Sequence, residues 1–312
     1  MIGLSVATLL FTHTDFLDHV EPPGHPEQVA RIAAVTQALS GFDLIRRDAP
    51  LAEESEVLRC HPPEYLARIK AALPTRGWSQ VDGDTYLSPG SLKAALRAVG
   101  GAGAAVDAVL AGAARNAFVA ARPPGHHAET ARAMGFCLFG AVAIAARRAL
   151  DHHGLSRVAV LDFDVHHGNG TQDLLWDEGR VIFVSSHQMP LYPGTGLASE
   201  TGAQGQIVNL PLRPGSGGGA MRAAWTPALA QVRAFAPELI LISAGFDAHA
   251  DDPLAQLEWE VEDFVWLTEA ICDLADHSCG GRVVSVLEGG YDLPALAASA
   301  AAHVDVLLRR GE

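Results

Sequence analysis

Cysteine, lysine and aromatic residues are all scarce in this 312-residue chain, and it contains neither a run of basic residues nor a long apolar span. The four cysteines (Cys60, Cys137, Cys272 and Cys279) form no CxxC pair and are too sparse for a disulfide framework. A reducing compartment, the cytoplasm, is therefore the expected location. Lys70 and Lys93 are the only lysines, so arginine carries nearly all the positive charge, and the formal net charge is −14. With no basic patch, direct binding to nucleic-acid phosphates is not expected. An acidic surface could attract basic substrates, but solubility is reason enough for it. The opening stretch Met1 to Phe11 is apolar but short and has no positive flank. It reads as a first strand, not as a signal peptide or a membrane span. Aromatics make up only 6% of the chain while hydrophobic residues reach 49%, which suits small-residue helices packed on a sheet and excludes disorder. No internal repeat or long linker divides residues 1–312, which are expected to form one catalytic unit. The sequence leaves oligomerisation open.

What recurs is a short apolar run followed at once by polar, glycine-rich residues. Ala117 to Ala121 leads into Arg122-Pro123-Pro124-Gly125-His126-His127, and Val158 to Leu161 into Asp162-Phe163-Asp164-Val165-His166-His167-Gly168-Asn169-Gly170. Val181 to Val184 meets Ser185-Ser186-His187, Leu239 to Ile242 meets Ser243-Ala244-Gly245-Phe246-Asp247, and Val283 to Leu287 meets Glu288-Gly289-Gly290-Tyr291. The runs do not alternate, as expected of parallel strands buried on both faces. Helical patterns lie between them, at Leu92 to Leu110, Ala141 to Leu150, Met221 to Phe235 and Val261 to Ala275. The fold class expected is α/β with a doubly wound parallel sheet. Ligands of such sheets bind beyond the carboxyl ends of the strands, where every one of these polar segments falls.

Asp164 and His166 leave one strand tip and Asp247 leaves another. Two carboxylates and an imidazole make a three-ligand set with an open coordination position, the arrangement of a catalytic metal site. Any one of them alone would more simply cap a helix; the DxDxHHGNGT run together with AGFD favours the metal. His126 and His127 can serve one site only if their loop is irregular, which Pro123, Pro124 and Gly125 allow. His152-His153, by contrast, reads as a solvated pair at a helix C-terminus. Tyr291 follows two glycines that let backbone approach a ligand. Its hydroxyl could serve an oxyanion, although a tyrosine in a GGYD turn is as readily structural.

Together the segments RPPGHHA, GFC, LDFDVHHGNGTQ, YPGTG, ISAGFDAH and LEGGYDL, with GHPE and DGDTYLSPGS before them, resemble the histone deacetylase superfamily, including bacterial deacetylase-like amidohydrolases and acetylpolyamine amidohydrolases. The resemblance runs from about His25 to beyond Tyr291, with the motifs in order. It implies the arginase/deacetylase fold; the different motifs that hold manganese in arginases are not found. Carried over residue by residue, it implies Zn²⁺ on Asp164, His166 and Asp247. His126 and His127 would then hold a nucleophilic water, with His127 acting as base and later as acid. Asp162 would orient His126, and Tyr291 would stabilise the oxyanion. Phe136 and Tyr192 match the aromatic walls of an acyl-lysine tunnel, Gly135 and Gly289 its narrow backbone, and Asp84 a rim residue that holds substrate. Asp162, Asp164, His166, Ser185 and Ser186 match a structural K⁺ site, and Arg31 an acetate exit path. Two positions depart from the class I pattern. Asn169 stands where class I members have an aspartate partnered with the second histidine, and is read as orienting His127. Phe139-Gly140-Ala141 replaces an asparagine-bearing segment. The function implied is zinc-dependent deacetylation of an acylated amine, with N-acetyl-lysine preferred over acetylated polyamines. The reading from another class is a catalytically silent acyl-lysine binding module, against which the complete ligand set, both histidines and Tyr291 argue.

Overall fold

The computed structural model describes residues 8–311; residues 1–7, where the first-strand expectation begins, lie outside the described residues. In chain order come β1 (Leu9–Thr12), α1 (Ala30–Ala38), β2 (Ile45–Asp48), α2 (Glu54–Val57) and α3 (Pro63–Ala71). A small antiparallel ribbon, β3 (Ser79–Gln80) with β4 (Tyr86–Leu87), precedes α4 (Ser91–Leu110) and β5 (Asn116–Val119). Then follow α5 (Ala141–Asp151), β6 (Val158–Asp162), α6 (Asn169–Leu174), β7 (Val181–Gln188) and β8 (Ile207–Leu212). The chain ends with α7 (Gly218–Phe235), β9 (Leu239–Ala244), α8 (Val261–Cys279), β10 (Val283–Leu287) and α9 (Leu293–Gly311).

Eight strands form one sheet in the order β2-β1-β5-β10-β9-β6-β7-β8, with parallel pairing throughout. Every residue of β5, β6, β7, β9 and β10 is buried, which is why their sequences show no alternation. On one side α7, α8, α9 and α1 pack in succession, and on the other α4 packs on α5. The buried stripe of α4 runs through Ala94, Ala98, Ala102, Ala105 and Val109, and small side chains bring its backbone close to the sheet. At Gly100 an added Cβ would lie 2.0 Å from the Pro50 carbonyl oxygen, so nothing larger fits. The helix α8 is closed at its start by reciprocal bonds between Glu260 and Asp263, and at its end by Gly280 at φ 63°.

The strand carrying Ser185, Ser186 and His187 is longer than expected. These three residues lie within β7 because β8 pairs with them, Ser185 opposite Asn209 and His187 opposite Pro211. Nor are the two histidines after α5 a free pair: His152 is exposed, but His153 Nε2 lies 2.7 Å from Asp107 on α4. What positions the site is the order of the sheet. The chain passes from β5 to β6 across two strands that it fills only later, β9 and β10. The carboxyl ends of β5, β10, β9 and β6 therefore stand side by side at a point where strand order reverses, and a crevice opens there.

Candidate active site

Asp164, His166 and Asp247 offer ligand atoms that all lie within 4.8 Å of one another. His166 Nδ1 is 3.1 Å from Asp164 Oδ1 and 3.1 Å from Asp247 Oδ2. Backbone N–H groups aim the carboxylates: His166 N donates to Asp164 Oδ1 (2.9 Å), Gly289 N to Asp164 Oδ2 (2.8 Å) and Val165 N to Asp247 Oδ1 (2.9 Å). Gly289 must be glycine for this, since an added Cβ would fall 2.2 Å from Asp247 Oδ2 and 2.6 Å from Asp164 Oδ2. Two buried carboxylates converging on one point require positive charge. The imidazole registers that demand: burial opposes its charge, yet its bonds to Asp164 and Asp247 push its pKa up to about 10. Two hard oxygen donors and one imidazole, braced by main-chain donors, suit a divalent ion of the zinc type. A second buried trio, His19, Glu21 and Glu27, has ligand-type side chains too. There Glu27 is already committed to Arg122 (2.7 and 2.9 Å) and Arg31 (2.9 Å), so its charge is balanced by the protein itself.

The two histidines after β5 sit on opposite sides of a charge divide. His126 Nδ1 is 3.0 Å from Asp162 Oδ2, and its Nε2 is 3.7 Å from Asp164. Burial opposes its charge, but the two carboxylates win and hold His126 well above the ordinary histidine value. His127 Nδ1 is 2.7 Å from Asn169 Oδ1. Burial, reinforced by the positive character of His126 and His166, holds His127 well below 6.5. Glu288 keeps the loop in place, its Oε2 accepting from Gly125 N (2.6 Å) and His126 N (3.1 Å).

A cavity of about 230 Å³ opens over this cluster, lined by Asp84, His127, Gly135, Phe136, His166, Leu191, Tyr192, Leu254 and Tyr291. Phe136 stands at φ 68° beside Gly135 at φ 54°, and a Cβ on Gly135 would lie 2.4 Å from the His127 ring. Asp84 Oδ1 accepts from Gly135 N (3.1 Å) and Thr85 Oγ1 donates to the same oxygen (2.9 Å), so Asp84 braces this turn from the rim. Phe136 packs edge-on to Tyr291 at 5.7 Å, and Tyr192 edge-on to His127 at 5.3 Å. Burial raises the Tyr291 phenol well above 10, so it remains a donor at neutral pH. Asp252 Oδ2 accepts from Tyr291 N at 2.7 Å and holds its turn. A larger groove of about 500 Å³ beside α3 is lined by Ile69, Ala72, Val81 and Ala133 among others and has no comparable set of acids and bases.

The geometry thus gathers Asp164, His166, Asp247, His126, His127, Asp162, Asn169, Gly135, Phe136, Tyr192, Asp84, Gly289 and Tyr291 around one crevice. Ser185 and Ser186 lie behind it, Ser185 paired in register with Asp162. The Ser186 hydroxyl is buried with no hydrogen-bond partner in the protein. Arg31 does not face the cavity as an open cation. It donates to the Gly290 carbonyl (2.6 Å), the Glu288 carbonyl (2.5 Å) and Glu27, with its guanidinium 4.9 Å from the Tyr291 ring centroid. Glu129, Met134, Asp252, Leu254 and Glu288 were not singled out by sequence reasoning. Glu129 and Glu288 adjoin RPPGHHA and open EGGYD, so their position beside motifs was the one available signal.

A model of the histone deacetylase domain matches residues 25–307. The histone deacetylase-like amidohydrolase of Pseudomonas aeruginosa is 42% identical over 285 residues, covering 87% of this chain and 74% of that protein. A probable deacetylase of Archaeoglobus fulgidus is 37% identical over 298 residues, 92% and 82% of the two chains. Histone deacetylase 14, chloroplastic, of Arabidopsis thaliana is 38% identical over 330 residues, 98% and 78%. Among solved structures, the HDA15 HD domain superposes with a TM-score of 0.91 at 33% identity, covering 98% of this chain and 89% of that one.

Proposed function

The chain belongs to the histone deacetylase family, with its α/β fold, and from that membership we propose that residues 1–312 act as a single zinc-dependent deacetylase domain that hydrolyses N-acetyl-lysine side chains of proteins or peptides. The observation that carries the proposal is the convergence of Asp164, His166 and Asp247 with His127 and Tyr291 beneath a narrow cavity walled by Phe136 and Tyr192. Asp164, His166 and Asp247 would hold zinc, which would supply Lewis acidity toward a carbonyl and acidify water near it. The protein's own groups do the rest. His127, with Nδ1–H donated to Asn169, accepts the proton of the attacking water at Nε2 and returns it to the departing amine as the C–N bond breaks. His126, oriented by Asp162, steadies the same water. The Tyr291 hydroxyl donates to the carbonyl oxygen as it gains negative charge. Asp84 at the rim is where a substrate backbone N–H would be held, and Phe136 and Tyr192 would flank the alkyl stem.

K⁺ is the second ion we propose, behind the zinc loop on Asp162, Asp164, His166, Ser185 and Ser186. Its support is the buried Ser186 hydroxyl, which has no partner in the protein and follows Ser185, itself paired in register with Asp162. The four cysteines are unpaired thiols, which suits a reducing compartment such as the cytoplasm; among the described residues no helix is long and apolar enough to cross a membrane. Turnover of an acetyl-lysine peptide, measured beside acetylputrescine and acetylspermidine with and without a chelator, tests the proposal. Chelator-sensitive hydrolysis preferring the peptide is the expected result. Preference for the acetylated polyamines would move the substrate, and peptide binding without hydrolysis would make the protein a silent acyl-lysine reader.

A further inference from the structure

Asn169 opens α6, and its side-chain amide is clamped between three groups. Its Oδ1 is 2.7 Å from His127 Nδ1, while its Nδ2 is 2.8 Å from Glu129 Oε1 and 3.4 Å from Met134 Sδ. A carboxylate oxygen and a thioether sulfur accept hydrogen bonds and cannot donate them. The amide nitrogen must therefore face Glu129 and Met134, which leaves the amide oxygen facing His127. A carbonyl oxygen only accepts, so the proton of neutral His127 sits on Nδ1. The lone pair is then on Nε2, across the ring. With the amide turned over, Nδ2 would donate to Nδ1 and Nε2 would carry the proton, and that ring could accept nothing there. The turned amide would also set its oxygen against a carboxylate. Glu129 is itself anchored: its N–H donates to the Arg132 carbonyl (3.0 Å), and the next residue, Thr130, is tied to Asp173 through both N and Oγ1 at 2.7 Å.

We propose that Glu129 is a positioning residue that fixes the tautomer of His127 by holding the Asn169 amide in one orientation. Its role in turnover rests on the deacetylase reading above, whereas the tautomer lock itself does not. Met134 alone is a weak acceptor, so removing the carboxylate frees the amide to turn.

The first experiment is side-chain ¹⁵N NMR of histidine-labelled, zinc-loaded protein, with the His127 signals assigned by their loss in His127→Gln. Wild type should show the proton on Nδ1, and Glu129→Ala should show both tautomers. The second is kinetic, on an acetyl-lysine peptide. Glu129→Ala should lower kcat about 3–10-fold with KM nearly unchanged, and Glu129→Gln, which keeps an acceptor oxygen, should recover most of it. In an Asn169→Asp background the amide donor is gone and the two carboxylates repel, so Glu129→Ala should cost nothing or raise kcat. Unchanged His127 tautomer in Glu129→Ala overturns the proposal. So does an equal loss in the Asn169→Asp background, or a Glu129→Gln loss as large as that of Glu129→Ala. A tautomer that shifts as expected in a protein that hydrolyses no acetyl-lysine would uphold the lock and reject the substrate reading.

Discussion

Replacing Tyr291 by phenylalanine deletes one oxygen and leaves the rest of the side chain in place. The ring is 9% exposed, packs edge-on to Phe136 at 5.7 Å and lies under the Arg31 guanidinium at 4.9 Å, and a phenyl ring keeps both contacts. Its turn is held through the main chain, by Asp252 accepting from Tyr291 N and by Arg31 donating to the Gly290 carbonyl, and neither bond involves the hydroxyl. Folding stability should therefore change by no more than about 1 kcal/mol. The effect on the reaction is of another size. Burial keeps the phenol protonated and screens it poorly, so its bond to a carbonyl oxygen strengthens as that oxygen becomes anionic. Loss of one such donor costs about 2.7–4 kcal/mol, or about 10²–10³-fold in kcat. Because the bond is weaker to the neutral carbonyl, KM should hardly move. Steady-state kinetics on an acetyl-lysine peptide, with thermal melts run alongside, separate these terms. An unchanged kcat, or a loss carried wholly by KM, would return Tyr291 to a structural part.

Asp247→Ala should abolish both stoichiometric zinc and amide hydrolysis, because one of three anchors is lost; full zinc by elemental analysis together with wild-type turnover would refute the ligand set. With His127 in its proposed role as base, the acid limb of kcat/KM should lie well below pH 6.5, because activity would be lost only as pH falls through its lowered pKa. Asn169→Asp adds a negative charge at 2.7 Å from Nδ1 and should move that limb to higher pH; a limb that stays, or moves down, would remove Asn169 from the tuning of His127. Arg122→Ala strips Glu27 of its bidentate partner in a fully buried site and should cost about 3–5 kcal/mol in chemical denaturation; a loss under 1 kcal/mol would mean that His19 and Arg31 suffice.

The parts of the fold that could be read from sequence are those where burial leaves a one-dimensional trace. Strands β5, β6, β9 and β10 are covered on both faces, so each is a mainly apolar run without alternation, and each leads into the residues that form the crevice. The edge strand β2 escapes the same reading. Its residues Ile45-Arg46-Arg47-Asp48 are all exposed, and only parallel pairing with β1 makes them a strand. Strand β8 is the other edge, half-buried and carrying Pro211. Within the site, the three candidate metal ligands and most of the cavity lining lie in or beside motifs and were legible, whereas Leu254 lines the cavity from outside any motif and was not. Asp252, Glu288 and Glu129 act by accepting hydrogen bonds from N–H groups up to 163 residues away in sequence, as Glu288 does from Gly125. Such a partner is fixed by the fold and leaves no spacing to read.

The two adjacent histidines show how the sheet assigns chemistry. His126 and His127 are consecutive and equally buried, with rings 4.0 Å apart, so neither local sequence nor desolvation distinguishes them. What differs is the part of the segment from β6 to α6 that each one faces. His126 points at Asp162 and Asp164, where β6 ends, and two negative charges outweigh its burial. His127 meets Asn169, a neutral amide seven residues beyond Asp162, and has His126 and His166 as positive neighbours. The shifts run in opposite directions from the same starting value, and a pair of titratable groups driven apart in this way has its roles divided. A cation on Asp164, His166 and Asp247 would press His127 further toward the neutral form, the direction its protein neighbours already impose. Neutrality alone does not make it a base toward the cavity, because a neutral imidazole has two tautomers. The acceptors on the far side of Asn169, Glu129 and Met134, remove that ambiguity, so the proton-accepting nitrogen of His127 is chosen by a half-buried carboxylate that never touches it.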